Sequence, residues 1–106
     1  MSANALTRAA LQLLKLRGFL AWRANQIPVR GRVFIGLPGV PDVVAIEPQT
    51  VGKDGGRFWG VEVKVGKDEQ SEAQIDFERE AKKRGAVYIV ARSLDDVIRE
   101  LDRRTK

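Results

Sequence analysis

Phe58-Trp59-Gly60-Val61-Glu62-Val63-Lys64-Val65 is the stretch on which the fold turns. Side chains alternate along a strand, so Trp59, Val61, Val63 and Val65 share one face, and Gly60, Glu62 and Lys64 share the other. The first face is core; the second sets a carboxylate beside an ammonium. Just upstream, Lys53-Asp54-Gly55-Gly56 reads as a hairpin turn, because Asp-Gly supplies the positive φ that a tight reversal demands. Before that turn, Asp42 to Glu47 is an apolar run with an acid at each end, closed by Pro48. Antiparallel pairing across the turn brings the beginning of the first strand beside the end of the second. Asp42 then meets Glu62 and Lys64 at one end of a sheet.

Working outward, Ser71 opens a helix with Gln74 three residues on, in a capping-box arrangement, and Gly85 ends it. Ala86 to Ala91 is continuously apolar and reads as a buried strand. Ser93 caps a last helix, whose Leu94, Val97, Ile98 and Leu101 form a packing stripe. Upstream, Asn4 to Arg17 is a helix with Leu6, Ala10, Leu13 and Leu14 on one side and Gly18 as its stop. Phe19 to Ala24 alternates weakly, with Leu20, Trp22 and Ala24 on one face and Arg23 on the other. Arg30 to Pro41 is mostly turn around a short Arg32–Ile35 strand. The resulting order, α-β-β-β-α-β-α, predicts an α/β fold of the mixed α+β kind, a mixed β-sheet flanked by helices. At 106 residues it is one domain, 1–106. The tail from Arg103 to Lys106 is expected to fray.

Composition narrows the chemistry. There is no cysteine and no histidine, which removes disulfides, thiol nucleophiles, imidazole bases and Cys or His metal sites. Catalysis must run on carboxylates, lysine, backbone groups and a hard metal. Lys and Arg number 19 against 14 Asp and Glu, for a net charge of +5. Residues 1–41 contain Arg8, Lys15, Arg17, Arg23, Arg30 and Arg32 and no acid, so all the excess positive charge lies there. Such asymmetry points to an anionic partner, nucleic acid above all, although a solvated basic surface has the same composition. No apolar run approaches the ~18 residues of a membrane span. No signal pattern opens the chain either, so a cytoplasmic protein is expected.

Two carboxylates converging beside a lysine suit hydrolysis of a phosphodiester. Mg²⁺ or Mn²⁺ takes oxygen ligands, one or two of them carboxylates, and activates a bound water. A neighbouring lysine orients the attacking water and offsets negative charge in the transition state. Alone, the Glu62–Lys64 pair is more often a surface ion pair across strands. The other acid two residues before a lysine, Glu80-Ala81-Lys82, falls on a predicted helix, where such a spacing points two ways.

Gly39-Val40-Pro41-Asp42, then Phe58-Trp59-Gly60-Val61-Glu62-Val63-Lys64, then Ser71-Glu72-Ala73-Gln74 together resemble the PD-(D/E)xK nuclease superfamily. More narrowly they are similar to its small stand-alone VRR-NUC domains of phages and bacteria. The resemblance runs from about Arg23 to Leu101 and implies a restriction-endonuclease-like core. It implies Asp42, Glu62 and the Val63 carbonyl as metal ligands, and Lys64 as the catalytic lysine. It also matches Gln74 to a glutamine near the metal, although an ordinary capping-box residue would look the same. Asn25 matches a polar position of the family whose role is not defined. Many relatives carry a glutamate on the first helix; here Gln12 is the nearest candidate, which weakens the case for a second metal.

The combined expectation is a Mg²⁺- or Mn²⁺-dependent DNA endonuclease of a bacterial or phage-infected cell. It would act on branched or double-stranded DNA by structure more than by sequence, in the manner of Holliday-junction resolvases. Arg23, Arg30, Arg32 and Lys67 would grip phosphates, and a homodimer would present two active sites. The alternative is a catalytically weak DNA-binding module on the same fold. Trp22 and Trp59 would stack on bases or, more commonly for strand tryptophans, sit in the core.

Overall fold

A computed structural model describes residues 1–24 and 37–105. Helix α1 (Ala3–Leu16) starts where the Ser2 side chain accepts the Ala5 N–H at 3.1 Å, and it buries Leu6, Ala10 and Leu14. Gly18, at φ +90°, reverses the chain into strand β1 (Leu20–Arg23). Strands β2 (Val43–Ile46) and β3 (Phe58–Val63) form the expected hairpin. Helix α2 (Glu72–Lys83) then crosses to strand β4 (Val87–Ala91), and helix α3 (Leu94–Arg104) follows. The element order is the predicted α-β-β-β-α-β-α.

The four strands lie side by side in chain order, antiparallel from β1 to β3 and parallel between β3 and β4. One face carries the rows Ala21–Ala45–Trp59–Val87 and Arg23–Val43–Val61–Ile89. Helices α1 and α3 cover it with Leu6, Ala10, Leu14, Val97 and Leu101, all buried. This is the core, and each fully buried Val or Leu in it contributes roughly 1.5–3 kcal/mol relative to exposure. The opposite face carries Trp22–Val44–Gly60–Tyr88, with Glu62 and Val90 one row on. There α2 packs over β4 through a cluster of the Phe58, Phe77 and Tyr88 rings.

Two expectations are revised. The ladder between β2 and β3 ends at Ile46 and Phe58, so the connection is longer than a tight turn. Glu47 N–H still donates to the Arg57 carbonyl and Gly56 N–H to the Glu47 carbonyl, at 2.9 and 2.7 Å, but Pro48 has no N–H with which to continue. Trp59 is fully buried, in edge contact with Phe19 at 4.9 Å, whereas Trp22 is 46% exposed. Phe19 and Ala21 are the inward residues around β1, which leaves Trp22 on the open face. The proposed Arg32–Ile35 strand and Asn25 lie outside the described residues.

Candidate active site

The approach to Asp42 is built from residues that only fit one way. Gly39 has φ +83°, and a Cβ there would stand 2.1 Å from the Ala73 carbonyl oxygen. Only glycine lets the chain pass the first turn of α2 so closely. Pro41 is buried over Gly60, where an added Cβ would meet its Cγ at 2.8 Å. Ala24 N–H then donates to the Asp42 carbonyl at 2.9 Å. The β2–β3 register pairs Val43 with Val61, and its next step sets Asp42 opposite Glu62. Directly opposed residues have Cβ atoms about 4.5–5.5 Å apart.

The Asp42 Oδ2 accepts the Val63 N–H at 2.7 Å. The chain bends away at Pro41, so this side chain takes the place of a missing ladder carbonyl. In a strand, a residue's N–H and C=O point to the same edge, so the Val63 carbonyl lies along the edge where Asp42 sits.

Glu62 is fully buried. Its Oε1 accepts the Tyr88 hydroxyl at 2.5 Å and, at 3.5 Å, the Gln70 Nε2. Its Oε2 is buried with no hydrogen-bond partner among the described residues. Burial first, then the hydrogen bond to Glu62 and that carboxylate's charge, push the Tyr88 hydroxyl far above its ordinary range, so it remains a donor. Gln70 also donates to Glu78 Oε1 at 3.0 Å, and Lys82 pairs with Glu78 at 2.7 Å. Burial would raise Glu78, but the hydrogen bonds from Lys82 and Gln70 and the lysine's charge outweigh it and lower its pKa. Lys64 follows Glu62 by two positions and projects from the same face by strand alternation. Its N–H donates to the Ala91 carbonyl at 3.0 Å, and its ammonium forms no ion pair among the described residues.

The remaining sequence candidates divide. Gln74 closes the capping box: its Oε1 accepts Ser71 N–H at 2.8 Å and its own N–H donates to Ser71 Oγ at 3.2 Å. Arg23 lies at the site's end of the sheet but on the core-side face, donating to Asn4 Oδ1 at 3.0 Å. Lys67 is exposed in the turn after β3. Arg30 and Arg32 are outside the described residues. Gln12 is exposed and stands opposite the Leu6–Ala10–Leu14 stripe on the helical wheel, so α1 supplies no ligand from that position.

Among the described residues, no three side chains of metal-binding type gather. The available set is two carboxylates and one carbonyl. Its all-oxygen chemistry and the unpartnered, buried Glu62 Oε2 fit a hard cation that keeps several waters.

Sequence reading missed Tyr88 and Gln70. The one signal was the chain's sole tyrosine inside an apolar strand, where its hydroxyl needs a partner. It also missed Glu47, buried at the far end of the hairpin. This carboxylate accepts Trp59 Nε1 at 2.6 Å and Arg57 Nε and Nη2 at 3.0 and 2.9 Å.

A mixed four-stranded sheet with two helices on one face and a crossover helix on the other is thus the class the chain belongs to. A solved structure described as a VRR_NUC domain shares it, with a TM-score of 0.60 and 24% sequence identity over 95% of this chain and 90% of that one. At this identity the likeness establishes the fold. No family model and no curated protein matches the sequence.

Proposed function

We propose that this protein is a Mg²⁺- or Mn²⁺-dependent nuclease that hydrolyses DNA phosphodiester bonds. The observation carrying the reading is the fully buried Glu62, whose Oε2 lacks a partner, in register with Asp42. Asp42, Glu62 and the Val63 carbonyl would hold the cation. A bound divalent ion supplies an activated water and charge neutralisation at the scissile phosphate. Lys64, one strand repeat beyond Glu62, orients that water and offsets the charge growing on phosphoryl oxygens. The hydrogen bonds of Asp42 to the Val63 N–H and of Glu62 to Tyr88 fix the direction of both carboxylates, which supports this reading. The likeness to a VRR_NUC domain supports nuclease chemistry on this fold.

Recognition would be by DNA shape, branched or double-stranded, since basic groups contact phosphates and not base edges. Arg30 and Arg32 are the preferred grips, with Lys67, because Arg23 is engaged on the other face. A homodimer would offer one active site to each strand. The absence of an acid at Gln12 favours one tightly held ion, and it motivates a second reading, a DNA-binding module that turns over poorly.

A nicking assay on supercoiled plasmid and four-way junctions with Mn²⁺ decides between them. Wild type is expected to cut, while Lys64→Ala is expected to bind DNA and Mn²⁺ without cutting. Wild type that binds DNA yet leaves it intact in every metal would establish the binding module instead.

A further inference from the structure

We infer that Tyr88 is a positioning residue for the cation site: with Gln70 it occupies Glu62 Oε1 and leaves Oε2 presented as the ligand atom. This rests on the reading of Asp42 and Glu62 as cation ligands. A carboxylate has two equivalent oxygens, and rotation about its last torsion exchanges them. In Glu62 that symmetry is broken. The Tyr88 hydroxyl donates to Oε1 at 2.5 Å, the Gln70 amide approaches the same oxygen at 3.5 Å, and Oε2 receives nothing. Glu62 and Tyr88 are both buried, so water does not even the balance.

The donor is itself fixed. The Tyr88 ring packs 6.1 Å from the Phe77 ring, and its Cδ2 would lie 3.3 Å from a Cβ at Gly60. Gly60 therefore lets the ring and Pro41 close over the strand from which Glu62 projects. Gln70 is fixed from its other side, since the same Nε2 donates to Glu78 at 3.0 Å and Lys82 anchors Glu78. The chain Lys82–Glu78–Gln70 thus carries orientation from the surface of α2 to Glu62. Partners behind a metal ligand typically alter metal affinity about 10–100-fold when removed.

Tyr88 is the chain's sole tyrosine, so a ¹³Cζ-tyrosine label gives one unambiguous resonance. On titration with Mg²⁺ that resonance is expected to move and saturate in wild type and to stay still in Glu62→Gln. Tyr88→Phe is expected to weaken Mn²⁺ binding about tenfold, raising the Mn²⁺ concentration for half-maximal cleavage but sparing the rate at saturation. Gln70→Leu, at a half-buried position outside the strands, should give a smaller shift in the same direction. Unchanged Mn²⁺ affinity in folded Tyr88→Phe overturns the inference. If that variant does not fold, a stationary resonance or unaltered affinity in Gln70→Leu does so. Wild type that binds no Mn²⁺ overturns the cation site as well, which separates the two failures.

Discussion

Glu62 has the side chain with most at stake, because it is a carboxylate taken wholly out of water with one oxygen left without a donor. An unsatisfied buried acceptor costs about 1–3 kcal/mol, more when charged. A site that stores such a cost is stabilised by what binds there and destabilised by its absence. Glu62→Gln removes the charge at nearly constant shape. In metal-free protein it is expected to raise stability by about 1 kcal/mol, or roughly 4–8 °C in Tm for a domain of this size. Mn²⁺ binding and cleavage should vanish in the same variant. A thermal melt checks the first statement and calorimetric titration the second; a lowered Tm would mean that the carboxylate holds the fold together. The opposition of Asp42 and Glu62 was legible in the sequence, because period-two alternation and the antiparallel pairing of two successive strands determine it. Tyr88 was not, because its neighbourhood with Glu62 depends on the parallel register of β3 and β4, which α2 sets from a distance.

Among the elements, α2 shapes the site without burying a single residue fully. Its first turn is the surface over which Gly39 passes, so Gly39→Ala brings a Cβ against backbone at 2.1 Å and forces a positive φ on an L residue. The expected cost is about 1–3 kcal/mol from the strained backbone alone, and Asp42 should lose its aim with it. Denaturant unfolding and the Mn²⁺ titration measure both effects. The capping box of α2 was readable from Ser71 and Gln74, since such bonds are local. At α3 Ser93 was readable as the cap, but it is the Asp96 carboxylate that accepts the backbone N–H groups.

The start of α3 makes a pH prediction. Asp96 accepts N–H groups from Arg92 and Ser93 at 2.8 and 3.2 Å. The Arg92 bond is the largest cause of its lowered pKa; partial burial opposes it, and Arg99 and Ser93 add to the lowering. A depressed folded pKa means stability that is fully present above the ordinary aspartate value of about 3.9 and lost as pH falls through the lower folded value. Asp96→Ala should therefore cost ~1 kcal/mol at pH 7, a cap's usual contribution. The gap to wild type should close at strongly acidic pH, as urea unfolding at several pH values would show. Strand β1 shows where element reading fails. Its alternation was visible, but which face turns inward depended on α1, and Trp22 ended outside.

At the scale of the whole molecule, the excess positive charge sits on residues 1–41, which precede the acidic centre. Composition disclosed this without any structure. Which arginines face the site was beyond composition, as Arg23 on the far face of the sheet illustrates. A ligand bound only by folded protein stabilises by about 2.7 kcal/mol at 100 times its Kd. Saturating Mn²⁺ should thus raise the wild-type Tm by roughly 10–20 °C and leave Glu62→Gln unmoved, a difference that a melt with and without the ion reads directly.

The far end of the hairpin gives Glu47 a role in choosing the alignment. Sliding β2 along β3 by two residues would leave every side chain on the face it already occupies, so apolar patterning alone cannot reject that mistake. It would, however, strand the Glu47 charge away from Trp59 and Arg57 and from the space that Gly52 leaves for it, where any Cβ would fall 1.7 Å from Glu47 Oε1. Stranding the buried Glu47 carboxylate costs at most about 3–5 kcal/mol, and less to the extent that the 39% exposed Arg57 side chain is already screened by solvent. One polar peg thereby proofreads the zipper from its closed end, and Asp42 and Glu62 come face to face at the open one.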